Sequence, residues 1–220
     1  ANPNCSTIIM SLGLKPLHDI SPIKRIVVST YQAVSGAGKE GIEELENQVK
    51  QYTAGEEMTA NLLPTGSAPK HYPVAFNLLP QIDVFLDNDY TKEEMKMVHE
   101  TQKILHDDTI QVVPTTVRVP VYRSHSESVL VETEEPVSVE AFKAACEKFP
   151  GLQVKDNPAE QIYPMPLYTS NQNDCEIGRI RKDLYNDKGM NFWIVGDQIR
   201  KGAALNALQI AEYLVEKQAF

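Results

Sequence analysis

The residues Asn2-Pro3-Asn4-Cys5-Ser6-Thr7 run directly into Ile8-Ile9-Met10-Ser11-Leu12, a tight polar turn feeding an apolar segment of helical length. Pro3 fixes φ ahead of the turn, and Asn4 has the short polar side chain favoured at a helix N-cap. Cys5 is thereby placed in the first turn of a helix. Unpaired backbone N–H groups and the positive end of the helix dipole favour a thiolate there. The expectation is a nucleophilic cysteine of lowered pKa. An isolated cysteine in such a turn is more often simple packing, so the assignment depends on the rest of the chain.

The chain has 220 residues, 42% hydrophobic and 23% charged, the composition of a globular protein with one large domain, or one domain and an appendage. Its net charge of −9, with no long basic run, argues against nucleic acid and anionic membrane as partners. A small anionic substrate remains compatible, since an acidic protein can hold a basic pocket. No apolar stretch reaches membrane-spanning length, and no signal peptide is recognisable. Cys5, Cys146 and Cys175 are odd in number and widely spaced. That suits reduced thiols in a cytoplasmic compartment better than disulfides or a zinc site. A nucleophile-bearing helix normally follows a strand, and none precedes Asn2. The chain is therefore expected to be a piece whose N-terminal part is missing.

Along the chain, Ile23–Tyr31 reads as a β-branched strand leading into Gln32-Ala33-Val34-Ser35-Gly36-Ala37-Gly38, whose glycines allow close backbone approach. A helix is expected over 39–52, then an exposed loop over 53–77. Thr91 and Glu94 form a capping-box pattern for a helix ending near 105 or 106, with Glu93 and Lys96 on one face. By itself that pair suggests a surface ion pair. Strands are expected over 111–113, 116–122 and 128–133. Arg118, among Val and Pro residues, suits a pocket that grips a carboxylate. His125 is a candidate proton carrier. The two are seven positions apart, so in one unbroken strand they would face opposite sides. A bend near Pro120 is needed if they share a site. A second amphipathic helix is expected over 138–149, a hairpin over 177–195 with its turn at 186–189, and a final helix from about Gln198 to Glu216 capped by Asp197. Ala203, Ala204, Ala207 and Ala211 give that helix a small-residue face for close packing.

Six segments together resemble one family, the aspartate-semialdehyde dehydrogenases. They are Asn2–Thr7, Tyr31–Gly38, Glu93-Glu94-Met95-Lys96, Val117–Pro120 with His125-Ser126-Glu127, Gly178-Arg179-Ile180-Arg181, and Gly196–Ala204. The resemblance covers nearly the whole chain. It implies that Cys5 is the nucleophile forming an acyl-thioester and that His125 is the general acid/base. Gln32 would orient the substrate beside the thiol. Glu93 would bind the substrate amino group, Lys96 its phosphate and Arg118 its carboxylate, while Ser35, Gly36 and Gln198 would contact NADP. It further implies reduction of aspartyl phosphate to its semialdehyde, on the way to lysine, threonine and methionine, by a homodimer or homotetramer. The implied fold is α+β, a mixed and largely antiparallel sheet with helices on one face, like the C-terminal domain of glyceraldehyde-3-phosphate dehydrogenase. Residues 1–197 would form the catalytic and dimerisation domain, and 198–220 a helix that packs on a nucleotide-binding domain. No Gly-x-Gly-x-x-Gly follows a strand, nor is the family's upstream phosphate-binding arginine present, so the chain alone is expected not to turn over NADP. Three other readings are a related acyl-phosphate reductase acting on N-acetylglutamyl phosphate, a catalytically silent dimerisation module, and a cysteine hydrolase using His125.

Overall fold

The computed structural model describes residues 1–218. Helix α1, Cys5–Ile20, begins as the sequence implies: Asn4 Oδ1 accepts the N–H groups of Ser6 and Thr7 at 3.0 and 3.2 Å. Strand β1, Ile23–Gln32, follows, then a 3₁₀ turn at Val34–Ala37 and α2, Lys39–Thr53. Helix α3, Lys92–Leu105, carries the expected capping box, with Thr91 Oγ1 and Glu94 each satisfying the other's backbone N–H. The remaining elements are β2 (Gln111–Arg118), β3 (His125–Thr133), α4 (Val139–Glu147), β4 (Leu152–Val154), the short α5 (Pro166–Thr169), β5 (Cys175–Lys182), β6 (Gly189–Gly196) and α6 (Leu205–Glu216).

The six strands form one mixed sheet in the order β2-β1-β3-β6-β5-β4. The pairs β1–β2 and β4–β5 are parallel and the other three antiparallel, so the expected α+β architecture holds. Two strands expected either side of Pro114 are a single strand. β2 is an edge strand, and a proline's missing N–H is tolerated there. The second of them also ends at Arg118, earlier than expected. Residues 119–124 then cross the end of β1, with Val119 N–H on Gln32 O (3.0 Å) and Val34 N–H on Val121 O (2.8 Å). The chain re-enters the sheet at His125, on the other side of β1. This crossing supplies the bend that Arg118 and His125 require, and Ser124 takes φ 73° within it.

Helices α1, α3 and α4 pack on one face, enclosing Ile9, Met10, Leu14, Val129, Phe142 and Phe192, all at most 1% exposed. Gly13 permits the contact: a Cβ there would lie 2.8 Å from the Phe192 ring. A second apolar cluster, including Val34, Leu45, Leu63 and Val74, lies under the 53–77 segment. That segment is therefore not the exposed loop expected from its proline content; Leu63 and Val74 are fully buried. The final helix starts later than Gln198. Asp197 does accept the N–H groups of Ile199 and Arg200 as a cap, but Arg200–Ala204 forms a π-turn before α6 begins.

Cross-strand register sets the site in rows. Glu127 stands opposite Thr30 and Ile194, and Thr30 opposite Thr116. The Glu127 carboxyl is fully buried, with neither oxygen hydrogen-bonded among the described residues. Burial pushes its pKa well above the carboxylate range. With the folded pKa raised, stability is complete below the unfolded pKa of about 4.3 and is lost as pH rises towards the folded value. Glu127→Gln should therefore raise the thermal midpoint at pH 7.5 and leave it nearly unchanged at pH 4. Thermal unfolding at the two pH values checks this, and an equal effect at both would contradict it.

Candidate active site

The row beyond Glu127 ends the sheet. His125 pairs with Gly196, and Gln32 with Arg118. The capped start of α1 lies over this row, and together they border a cavity of about 480 Å³ lined by Cys5, Gln32, Glu93, Arg118 and His125. Gly36 lies on its rim. A Cβ there would come within 2.8 Å of Arg118 Nη1 and 3.2 Å of His125 Cε1. Gly202, from the π-turn, approaches Cys5 so closely that a Cβ would lie 2.9 Å from Cys5 Cβ.

Each polar group is held by a specific partner. Arg118 is buried and donates through Nη1 to Ala33 O at 2.7 Å, leaving Nε without a partner among the described residues. His125 Nδ1 accepts the Ala33 N–H at 3.0 Å. A neutral ring in that setting carries its proton on Nε2, which is buried and lacks a partner among the described residues. Burial, and then Arg118, hold the His125 pKa well below the usual histidine value, so the ring is neutral near pH 7. Gln32 Oε1 accepts from Thr30 Oγ1 at 2.9 Å, while its Nε2 donates to Glu93 Oε1 at 3.3 Å. Lys96 Nζ lies 3.5 Å from both Glu93 Oε2 and Asp83 Oδ2, so the pair suggested for the surface belongs to the site.

The thiol itself corrects the sequence reading. The helix N-terminus was expected to lower its pKa. Burial first, and then the Glu93 charge, outweigh the Ser6 N–H and Arg118 and push it up to about 12. A helix start does not by itself set a thiol pKa where burial, and then a neighbouring carboxylate, act the other way.

The three residues assigned to a nicotinamide cofactor also meet. Gln198 Nε2 donates to Ser35 Oγ at 2.6 Å, its Oε1 accepts Ser124 N–H at 2.9 Å, and Gly36 follows directly. Beneath them Asp197, fully buried, takes Arg123 Nε and Asn171 N–H, both at 2.7 Å. Of the residues assigned from the sequence, Cys5, Gln32, Gly36, Glu93, Arg118 and His125 line one cavity, while Lys96, paired to Glu93, and the bonded Ser35 and Gln198 lie beside it. Sequence reasoning missed Asp83, the Leu62–Gly66 wall and Gly202. Only Gly202 lay inside a quoted motif. The other two sit in irregular chain, where no periodicity marks a cavity wall.

The family model for the semialdehyde dehydrogenase dimerisation domain matches residues 14–201. Aspartate-semialdehyde dehydrogenase of Aquifex aeolicus is 51% identical over 99% of this chain, and that of Bacillus subtilis is 47% identical over 97%. The chain spans 62% of the length of each. Among solved structures, aspartate semialdehyde dehydrogenase II of Vibrio cholerae matches with a TM-score of 0.90 and 46% identity, covering 98% of this chain and 62% of that one. The same enzyme complexed with ASA matches with a TM-score of 0.90 and 45% identity. The fold, the row of site residues and these likenesses agree: the chain belongs to the semialdehyde dehydrogenase dimerisation-domain family.

Proposed function

We propose that this chain is the catalytic and dimerisation part of an NADP-dependent aspartate-semialdehyde dehydrogenase. The observation that carries the reading is the joint placement of a helix-start thiol, a buried arginine, a buried carboxylate and a neutral histidine around one cavity. That charge pattern matches a zwitterionic amino acid bearing an acyl phosphate. The ASA complex of the Vibrio cholerae enzyme supports the same substrate class.

In this reading Arg118 grips the substrate α-carboxylate, Glu93 its ammonium and Lys96 its phosphate, while Gln32 sets the acyl carbon before Cys5. The Cys5 thiolate attacks the acyl carbon, the C–O bond to phosphate breaks, and phosphate leaves with that electron pair. A thioester is more open to reduction than an oxygen ester, which is the chemical reason for a thiol here. A nicotinamide held beside Ser35, Gly36 and Gln198 would supply hydride to that carbon. His125 Nε2–H faces the oxygen on which charge then gathers and stabilises it by donation. Collapse of the hemithioacetal releases the aldehyde and returns the thiolate. The bonded Ser35 hydroxyl and Gln198 carboxamide fit an amide-bearing nicotinamide ring, because each can donate and accept.

Two surfaces support the wider assignment. Leu208, Tyr213 and Val215 on α6 are 56%, 58% and 65% exposed, with Ala204, Ala207 and Ala211 also open. A nucleotide-binding domain covering α6 would bury them. The sheet face opposite the helices presents Tyr31 and Trp193, their rings tilted at 46° with centroids 5.3 Å apart. It is the face read as the contact between two copies. The reading places the protein in the cytoplasm; no helix among the described residues is long and apolar enough to cross a membrane. The related reductase for N-acetylglutamyl phosphate is disfavoured by Glu93, since its acylated substrate has no ammonium to pair.

Turnover of aspartyl phosphate with NADPH, measured in the complete enzyme, tests the assignment. Cys5→Ala should abolish it, and turnover surviving at more than about one thousandth of the parent rate would overturn the nucleophile. Arg118→Lys loses the planar fork and should raise KM for aspartyl phosphate about tenfold or more with a smaller change in kcat. An unchanged KM would remove Arg118 from carboxylate binding.

A further inference from the structure

Asn4 joins the helix that carries the nucleophile to the carboxylate assigned to the substrate amine. Its Oδ1 caps α1, and its Nδ2 donates to Glu93 Oε1 at 2.8 Å. Its own N–H is held by Glu100 Oε2 at 2.7 Å. Glu93 is 6% exposed and takes Gln32 Nε2 on the same oxygen. The turn bearing Cys5 and the amine-binding carboxylate therefore share one side chain. We propose that Glu93, tied to the Cys5 turn through Asn4, restrains the nucleophile until a ligand ammonium neutralises that carboxylate, so that amine binding itself switches the thiol on. The inference rests on the function proposed above and adds the regulation of the same site.

The charges around Cys5 favour this arrangement. Helix α3 brings Glu93 and, beside Asn4, Glu100, with Lys96 beyond Glu93 and Asp83 facing Lys96. Strand β2 brings Arg118, and β3 brings the neutral His125 and the buried Glu127. The π-turn brings Gly202, which has no side chain to offer. Of these groups Glu93 opposes the thiolate most, after burial itself, and Arg118 favours it less strongly. An ammonium paired to Glu93 removes the larger charge effect. The same ligand's carboxylate on Arg118 removes the smaller one, so the zwitterion has a net activating effect. A ligand with a carboxylate alone has the opposite effect. An empty site thus disfavours the thiolate, and an ammonium seated on Glu93 lessens that opposition. This would guard a nucleophile that opens on solvent against oxidation and stray electrophiles.

The test is the rate of Cys5 alkylation by iodoacetamide, read by peptide mass mapping so that Cys146 and Cys175 serve as internal references. Without ligand, Glu93→Gln should speed Cys5 alkylation at pH 8 about tenfold or more, because removing one nearby like charge shifts a pKa by about one unit or more. L-2-Aminobutyrate, which has the ammonium and carboxylate but no reactive carbonyl, should speed it in the parent protein. Butyrate should not, and in E93Q aminobutyrate should no longer speed it. Asn4→Ser, which keeps a cap and loses the Nδ2 donor, should blunt the response to aminobutyrate. An E93Q rate equal to the parent's, or equal effects of aminobutyrate and butyrate, would overturn the proposal. Because alkylation needs no turnover, that failure is distinct from a failure of the dehydrogenase reading, which an inactive complete enzyme would reveal.

Discussion

The whole site depends on the chain crossing the end of β1 between Arg118 and His125. Two backbone hydrogen bonds to Gln32 and Val34 pin the crossing segment. Because β2 and β3 flank β1, the crossing delivers an arginine and a histidine to the same face on either side of Gln32. A simple β2–β3 hairpin could not do this, since the strand between them supplies the central residue. Ala33, at the end of β1, then fixes both neighbours: its carbonyl accepts Arg118 and its N–H is taken by His125. One residue's backbone sets the side-chain direction of two functional groups and the tautomer of one.

The buried polar groups are concentrated at this end of the molecule. Ser6, Thr7, Arg118, His125 and Glu127 each keep at least one buried atom without a partner among the described residues. The lower sheet rows, by contrast, are apolar, with Val28, Val129 and Phe192 in register. Leaving such atoms unpaired costs stability. The two-sided design is consistent with a stable hydrocarbon base under a strained, polar working end. In an acidic chain of net charge −9, Arg118 lines the cavity and Lys96 stands beside it on Glu93 and Asp83.

Local chemistry made much of this legible. Asn4 and Thr91 mark helix starts because capping is decided within four residues, and both caps are as expected. The odd spacing of Arg118 and His125 demanded a bend, and the bend is there. What the sequence hid depends on distant contacts. The 53–77 segment reads as loop from its prolines, yet it covers an apolar cluster and walls the cavity. The direction of the Cys5 shift depended first on burial and then on Glu93, 88 positions away in sequence. The π-turn brings Gly202 against Cys5, a contact that no periodicity announces.

The central claim is that Cys5 becomes acylated by an aspartyl group. The direct measurement is mass spectrometry of the protein mixed with aspartyl phosphate in the absence of reduced cofactor, followed by acid quenching and peptide mapping. The account predicts an aspartyl adduct confined to the peptide containing Cys5, formed as phosphate is released and discharged by hydroxylamine. No adduct, or one carried equally by Cys146 and Cys175, would contradict it.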